Sequence, residues 1–552
     1  MSNADSTVPM SSVPTSTVPT SPVPKPGLSG LSENFSADIK SGFLVFLIAM
    51  PLCLGIAYAS GYPPIAGIFT AIIGGMIVPW ISNSELTIKG PAAGLIVIVL
   101  GCVDGFGHTG GKDLVADAQA YHMALAVGVV AGSIQIGLAL FRSGILSEFF
   151  PTAAVHGLLA SIGVMIATKQ FHAMIGHPTK EKEPLKVIAA IPDAIQHMKP
   201  EIATIGFICL GIMIVWALMP KKLAWLKKLP AQLVVVATGI FLGYCLKLEP
   251  TAFINVPNDI RQGIAFPDFG GAFSSKYYMN ALQFILMFSL IGTLESLLSA
   301  KAVDLLDPHR RKTDYNRDLL GIGVANTLAS CVGGLPMISE IVRSKANIDN
   351  GARSRFANLF HGFFLLVFVA LLPWLIKLIP NASLAALLVF TGYRLASPYE
   401  FIHMYKVGRE QLVVFVSTIV GVLATDLLIG VVIGIFVKAA FHIWNGAPIG
   451  SLFSPNIEVI EPDANTTILR VKNSAVFSTW IALRRKLLSI DSHRSVILDL
   501  SETRLVDHTV MANLHELELD FEQKHRKLTI QGLELHEGLS DHRHAAKRRS
   551  AS

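Results

Sequence analysis

Charge is scarce in this chain. Of its 552 residues only 15% are Asp, Glu, Lys or Arg, against 52% hydrophobic, whereas soluble domains carry about 25% charged residues. That shortage argues against an ordinary soluble globule. Cysteine is also sparse. The five (Cys53, Cys102, Cys209, Cys245, Cys331) lie in apolar stretches without paired spacing, so they read as buried small hydrophobes rather than disulfides or a metal site. No His/Cys/carboxylate set has ligand spacing and no nucleophile is paired with a base, so neither a metal, a cofactor nor an enzyme is expected. The apolar runs lack the alternation that strands of a membrane barrel require. Residues 1–30 lack the apolar core of a cleavable signal and read as a disordered Ser/Thr/Val/Pro tail.

What is present is apolar sequence in long runs between Ile39 and Trp444, among them Ala281–Leu298, Phe363–Leu375 and Leu412–Ala424. A helix needs roughly 20 apolar residues to cross a bilayer, and helices satisfy every backbone group within themselves. The runs divide into fourteen spans, several of them short or interrupted. With the N-terminus inside, Arg142, Lys221, Lys222, Lys227, Lys228, Arg310, Arg311, Lys312, Arg317, Arg353, Arg355, Lys406 and Arg409 all fall in cytoplasmic loops, which is the positive-inside pattern. The outer loop 169–199 departs from it, with Lys169, Lys180, Lys182, Lys186 and Lys199. The net charge of +6 is thus a matter of topology and implies no nucleic acid. An even number of spans puts both termini in the cytoplasm of a multi-pass cell (inner) membrane protein.

Composition changes abruptly beyond Pro448. The expected organisation is a disordered tail at 1–33, a membrane domain at 34–449, a small cytoplasmic α/β domain at 450–536 and a disordered basic tail at 537–552. Within the third, Thr466–Val471, Ser495–Leu500 and Leu528–Leu533 read as strands, and Trp480–Leu488 and Thr509–Gln523 as helices.

Two spans are broken in the same way. Thr87-Ile-Lys-Gly-Pro-Ala-Ala-Gly94 opens the third, and Gly333-Gly-Leu-Pro-Met-Ile-Ser-Glu340 opens the tenth. Each has glycine for a bend and proline suited to a first helical turn. The breaks lie seven spans apart, and because seven is odd the second half would be inverted relative to the first. Two half-helix N-termini would then face one midplane point, forming an anion site made from backbone. Glu295, well inside the eighth span, is a candidate proton or cation site, with Ser299 one turn on as a further oxygen. Pro51 is expected to interrupt the first span, with Leu52 and Cys53 lining the cavity beside it. His156 and Asp426 read as structural.

The segments Met50-Pro-Leu-Cys-Leu-Gly-Ile-Ala-Tyr-Ala-Ser-Gly61, Lys89-Gly-Pro-Ala-Ala-Gly94, Leu294-Glu-Ser-Leu-Leu-Ser299, Gly333-Gly-Leu-Pro336 and Val342-Arg-Ser-Lys-Ala-Asn-Ile348 resemble the SulP family of sulfate permease-like anion transporters. The tail, with Val496-Ile-Leu-Asp-Leu-Ser501 and Asp507-His-Thr-Val-Met511, resembles a STAS domain. The resemblance implies a fourteen-span 7+7 inverted repeat split into core and gate domains, elevator-type alternating access and a homodimer in the lipid bilayer. It implies an anion held by Lys89, Gly90, Pro91 and Ala92 on one side and Ile338, Ser339, Glu340 and Ile341 on the other, with Arg343 a basic position nearby. Glu295 matches a carboxylate associated with H+ or Na+ coupling.

The likeness is to members found beside or fused to carbonic anhydrases, which leans towards bicarbonate and a separate carbonic anhydrase partner. Sulfate or a dicarboxylate is the alternative cargo. An uncoupled channel or exchanger, or a transport-inactive sensor, is the alternative mode. Many relatives have small residues where Lys89 and Glu340 stand. The two are expected to lie close across the site, either neutralising one another or leaving Glu340 to take up a proton. His508 stands where phosphorylation-controlled STAS domains have Ser or Thr, although Thr509 follows it.

Overall fold

The computed structural model describes residues 24–25, 27–179, 181, 183–219, 229–523 and 526–550. The tail at 1–23 and the loop residues Lys180, Lys182, Lys221, Lys222, Lys227 and Lys228 lie outside the described residues. Among the described residues, seven helices are long and apolar enough to cross a bilayer by themselves. They are span 1 (Leu28–Ala59), span 2 (Pro64–Ile81), span 4 (Leu114–Leu140), span 5 (Thr152–Met174), span 6 (Pro200–Leu218), span 8 (Tyr278–Leu306) and span 14 (Leu427–Trp444). Shorter helices supply span 7 (Ala231–Cys245), span 9 (Tyr315–Cys331), span 11 (Phe356–Leu371), span 12 (Asn381–Leu395) and span 13 (Arg409–Ala424). Spans 3 and 10 are the composite pair. Span 3 is strand β1 (Ile88–Pro91), a 3-10 turn (Ala93–Leu95) and a helix (Ile96–Gly105), and span 10 is strand β2 (Met337–Glu340) and a helix (Ile341–Asp349). Fourteen segments are thus present among the described residues.

The packing has the symmetry expected of two seven-span halves. Span 4 lies on span 9, and its counterpart span 11 lies on span 2; span 6 lies on span 12, and span 13 on span 5. Span 5 packs against its own counterpart, span 12. Glycine permits the closest crossings. A Cβ at Gly75 would meet Gly362 Cα at 2.6 Å, and one at Gly163 would meet Gly392 O at 2.6 Å. Such small-residue contacts let membrane helices approach closely where no water drives them together. Span 1 is continuous through Pro51, so the expected interruption there does not occur.

Span 1 begins at Leu28, earlier than the expected boundary at 34. Beyond Pro448 the chain folds as a sheet ordered β7-β5-β4-β6-β9-β8, with β3 also paired to β4. The strands are β3 (Asn456–Ile460), β4 (Thr466–Ala475), β5 (Ser495–Asp499), β6 (Thr503–Val506), β7 (Leu528–Gln531), β8 (His536–Gly538) and β9 (Lys547–Arg549). Helices Phe477–Leu488 and His508–Gln523 pack Trp480, Leu483, Leu514 and Phe521 into a core with Leu469 and Leu498. Residues 537–549 are therefore not the structureless tail expected. They form an antiparallel β8–β9 pair whose second strand joins β6, and Ala545 and Ala546 are buried. A basic composition conceals strands three residues long.

Candidate functional site

The two broken spans meet. β1 and β2 pair antiparallel in the register Ile88↔Glu340, Lys89↔Ser339, Gly90↔Ile338 and Pro91↔Met337, so each strand leads into its own half-helix from the opposite direction. Extended backbone inside a membrane domain leaves polar groups that need partners, and buried side chains supply several. Asn326 receives Met337 N–H at 2.6 Å and donates to Met337 O. Ser344 Oγ accepts from Ile88 N–H, Asn358 Oδ1 from Lys89 N–H and Ser296 Oγ from Ser339 N–H. Thr70 both accepts from Leu335 N–H and donates to Leu335 O. Gly333, with φ +97°, makes the turn into this segment that an L side chain rarely adopts.

Side chains alternate across a strand, and the two faces of the crossing carry different charges. On one face Lys89 Nζ lies 2.7 and 3.0 Å from the Asp318 carboxylate and 2.5 Å from Ser339 Oγ. Asp318 also accepts from Ser82 Oγ at 2.5 Å and Ser339 Oγ at 3.2 Å. Lys89 and Asp318 are both fully enclosed. The Lys89 ammonium therefore pairs with Asp318 and not with Glu340. Asp318 was hidden in the sequence because it follows the charged 8–9 loop by one turn of helix and reads as part of it.

The other face holds Glu340, Arg343, Glu295 and Cys53. Glu340 is the N-cap residue of the span 10 helix, three residues before Arg343, and pairs with Ile88 on the ladder face that also carries Gly90 and Ile338. Arg343, buried in the first turn, reaches across to donate to Pro91 O at 3.1 Å and to Cys53 Sγ at 3.5 Å. Gly90 leaves room for it, since a Cβ there would meet Arg343 Nη1 at 2.4 Å. Glu295 lies over the 3-10 turn that starts the span 3 helix. A Cβ at Gly94 would come within 2.0 Å of its Oε1. Among the described residues, Glu295 Oε2, Arg343 Nε and both ring nitrogens of the buried His361 have no hydrogen-bond partner.

The remaining expected residues fall around this pair. Ala92 caps the span 3 turn, Ile338 is buried opposite Gly90, and Ile341 opens the span 10 helix and is partly exposed. Ser299 is buried in span 8, and Leu52 is half-buried beside Cys53. His156 pairs with Glu400 at 3.1 Å and Asp426 caps span 14. A cavity of about 410 Å³ opens between spans 3 and 8 on one side and spans 5, 13 and 14 on the other. Ile96, Val97, Met165, Phe284 and Leu427 are in its wall, and it reaches the first turn of the span 3 helix.

Chemically, this is two helix N-termini, one guanidinium and two carboxylates gathered at a backbone crossing, with unpartnered polar atoms among them. Comparison with known proteins shows the family and the fold. The model of the sulfate permease family matches residues 35–418. Sulfate transporter 4.1, chloroplastic, of Arabidopsis thaliana is 23% identical over 535 residues, covering 90% of this chain and 75% of that one. Bicarbonate transporter BicA of Synechocystis is 22% identical over 517 residues, covering 91% and 88%. The solved transmembrane domain of a cyanobacterium bicarbonate transporter BicA superposes with a TM-score of 0.62 at 22% identity, over 73% of this chain and 97% of that one. The inward-facing murine Solute Carrier 26 family member A9 anion transporter does so with 0.63 at 14% identity, over 90% and 85%.

Proposed function

The chain belongs to the sulfate permease family of anion transporters, and from that premise we propose that it carries bicarbonate together with a proton or sodium ion by alternating access. The observation that carries this reading is the Glu295 carboxylate lying on Gly94 at the start of the span 3 helix, with one oxygen unpartnered. A helix N-terminus attracts an anion, and here the protein's own carboxylate stands next to that position. Neutralising Glu295 with a proton or a sodium ion removes the competing charge, so cation and anion load together. Spans 5–7 and 12–14, of which 5, 13 and 14 line the cavity, are the gate against which spans 1–4 and 8–11 move as an elevator. The basic loops support a reading in which both termini and the α/β domain, read as a STAS domain, lie on the cytoplasmic side of the cell membrane. A homodimer and a separate carbonic anhydrase complete the reading.

Proteoliposomes containing the purified chain should take up labelled bicarbonate faster under an inward proton or sodium gradient, and a parallel arm with labelled sulfate tests the alternative cargo. Glu295→Gln should abolish the acceleration by the gradient. Unchanged gradient-driven uptake in that variant would remove Glu295 from the coupling mechanism. Uptake of sulfate in place of bicarbonate would reassign the cargo.

A further inference from the structure

We propose that Glu340 makes this site selective for singly charged anions over doubly charged ones, an inference that rests on the anion-transport reading above but not on bicarbonate itself. The argument is a charge balance among groups enclosed together. Lys89 and Asp318 cancel one another on the far face of the β1–β2 crossing. On the near face stand two carboxylates, Glu295 against Gly94 and Glu340 on the Gly90 side of the ladder, and one guanidinium, Arg343 against Gly90. His361 is fully buried and neither ring nitrogen has a hydrogen-bond partner among the described residues, so it adds no charge to the count. Each half-helix N-terminus adds about half a positive charge. Guanidinium and helix ends therefore roughly balance the two carboxylates when no anion is bound.

A monoanion upsets that balance by one charge, which a single proton or sodium ion on Glu295 restores. A dianion upsets it by two. The second charge would have to come from Arg343, which stands three residues after Glu340, one turn along the same helix, and whose guanidinium already donates to Pro91 O and Cys53 Sγ. Glu340 sets a negative charge beside the one cation that a dianion needs. Replacing it by a neutral residue frees Arg343 for the ligand and adds one positive charge to the site, which should admit dianions. The placement of Glu340 supports this role. It is the N-cap residue of the span 10 helix and its side chain makes no capping hydrogen bond, its position pairs with Ile88 on the ladder face that also carries Gly90 and Ile338, and its backbone O accepts from Ser344 Oγ at 2.6 Å.

Perchlorate and sulfate isolate valence from shape, since both are tetrahedral oxyanions of similar size. The test compares the thermal stabilisation of the full-length protein in detergent by each ion, in wild type and in Glu340→Gln. Wild type should bind perchlorate at least about tenfold more tightly than sulfate, and Glu340→Gln should shift that ratio towards sulfate by about tenfold or more. Glu340→Asp, which keeps the charge, should restore the wild-type preference, and Glu340→Ser serves if the Gln variant does not fold. An unchanged ratio in folded, anion-binding variants, or a wild type that binds sulfate as well as perchlorate, overturns the proposal. Uptake assays on the same preparations separate it from the cargo reading. A wild type that discriminates by valence through Glu340 yet does not transport bicarbonate keeps this inference and loses that one.

Discussion

The two faces of the β1–β2 crossing both hold charges inside the membrane domain and treat them oppositely. On the Lys89 face each charged atom has a partner: the ammonium meets both Asp318 oxygens and Ser339, and Asp318 meets Ser82 and Ser339 as well. On the Glu295 face, a carboxylate oxygen and a guanidinium nitrogen have none. Buried polar groups are nearly always satisfied, and an exception asks for a cause. The contrast teaches that burial of charge in a membrane domain is not by itself a mark of function. The saturated pair holds the crossing together, and the unsaturated set is where a ligand has something to gain.

If that division is right, the largest effect on stability belongs to the saturated face. Removing one partner of a buried pair leaves an uncompensated charge and costs about 3–5 kcal/mol, whereas replacing both by apolar residues of similar volume is often neutral or better. Lys89→Met and Asp318→Leu should each lower the unfolding midpoint in detergent strongly, and the double substitution should recover most of the loss. If the double variant is as unstable as the sum of the singles, the pair is not a self-contained unit and the comparison fails. Glu295→Gln, by contrast, should leave the midpoint close to that of wild type.

Gly94 offers an intermediate effect on the other face. An added methyl would fall 2.0 Å from Glu295 Oε1 and 2.6 Å from Oε2, so Gly94→Ala must push the carboxylate off the helix end. Overpacking costs about 1–3 kcal/mol, and the expected functional loss is about tenfold in gradient-driven uptake. Anion exchange without a gradient should fall less. Equal losses in both assays would mean that the substitution had merely disturbed packing.

Much of this was legible in the sequence. The two helix breaks, their seven-span separation and Glu295 follow from glycine, proline and hydropathy, because those signals are local, whereas the strand pairing at the breaks was not read from them. The expected juxtaposition of Lys89 with Glu340 failed for an equally local reason. Lys89 stands opposite Ser339 and Glu340 opposite Ile88, so neighbouring rungs of one ladder send the two side chains to opposite faces. Asp318, Asn326 and Ser296 were not legible, because what marks them is a partner in another span. The STAS-like core strands Thr466–Val471 and Ser495–Leu500 were readable from apolar pattern, whereas β8 and β9 are too short and polar to carry one.

A smaller effect is expected where the carboxy-terminal domain docks, and it extends the comparison to a region of mixed exposure. Lys301 pairs with Glu516 and Lys312 with Asp520 at 2.8 and 2.9 Å, and partly exposed pairs of this kind are worth about 0–1 kcal/mol each. The histidines at the same junction are more telling. His508 donates from Nδ1 to His544 O at 2.6 Å, and His542 lies between His508, His544 and His403. Burial, with Lys438 and His542 acting the same way against Asp507 and the His544 carbonyl, lowers His508 to about 4. Burial, Arg543 and the neighbouring His515, His508 and His542 lower the more exposed His544 to about 4. A histidine whose folded value lies below the free value of about 6.5 favours the folded arrangement in its neutral form. That contribution is complete above about pH 6.5 and is lost as pH falls through 6.5 towards 4. His508 alone should weaken the seating of residues 536–549 by about tenfold between pH 7.5 and 5.5, with His544 adding less because water screens it. Hydrogen exchange of that segment, corrected for intrinsic rates, should show the loss, and His508→Asn should remove most of it. Protection that is equal at the two pH values would show that the histidines, like Lys89 and Asp318, are held too firmly by their partners to respond.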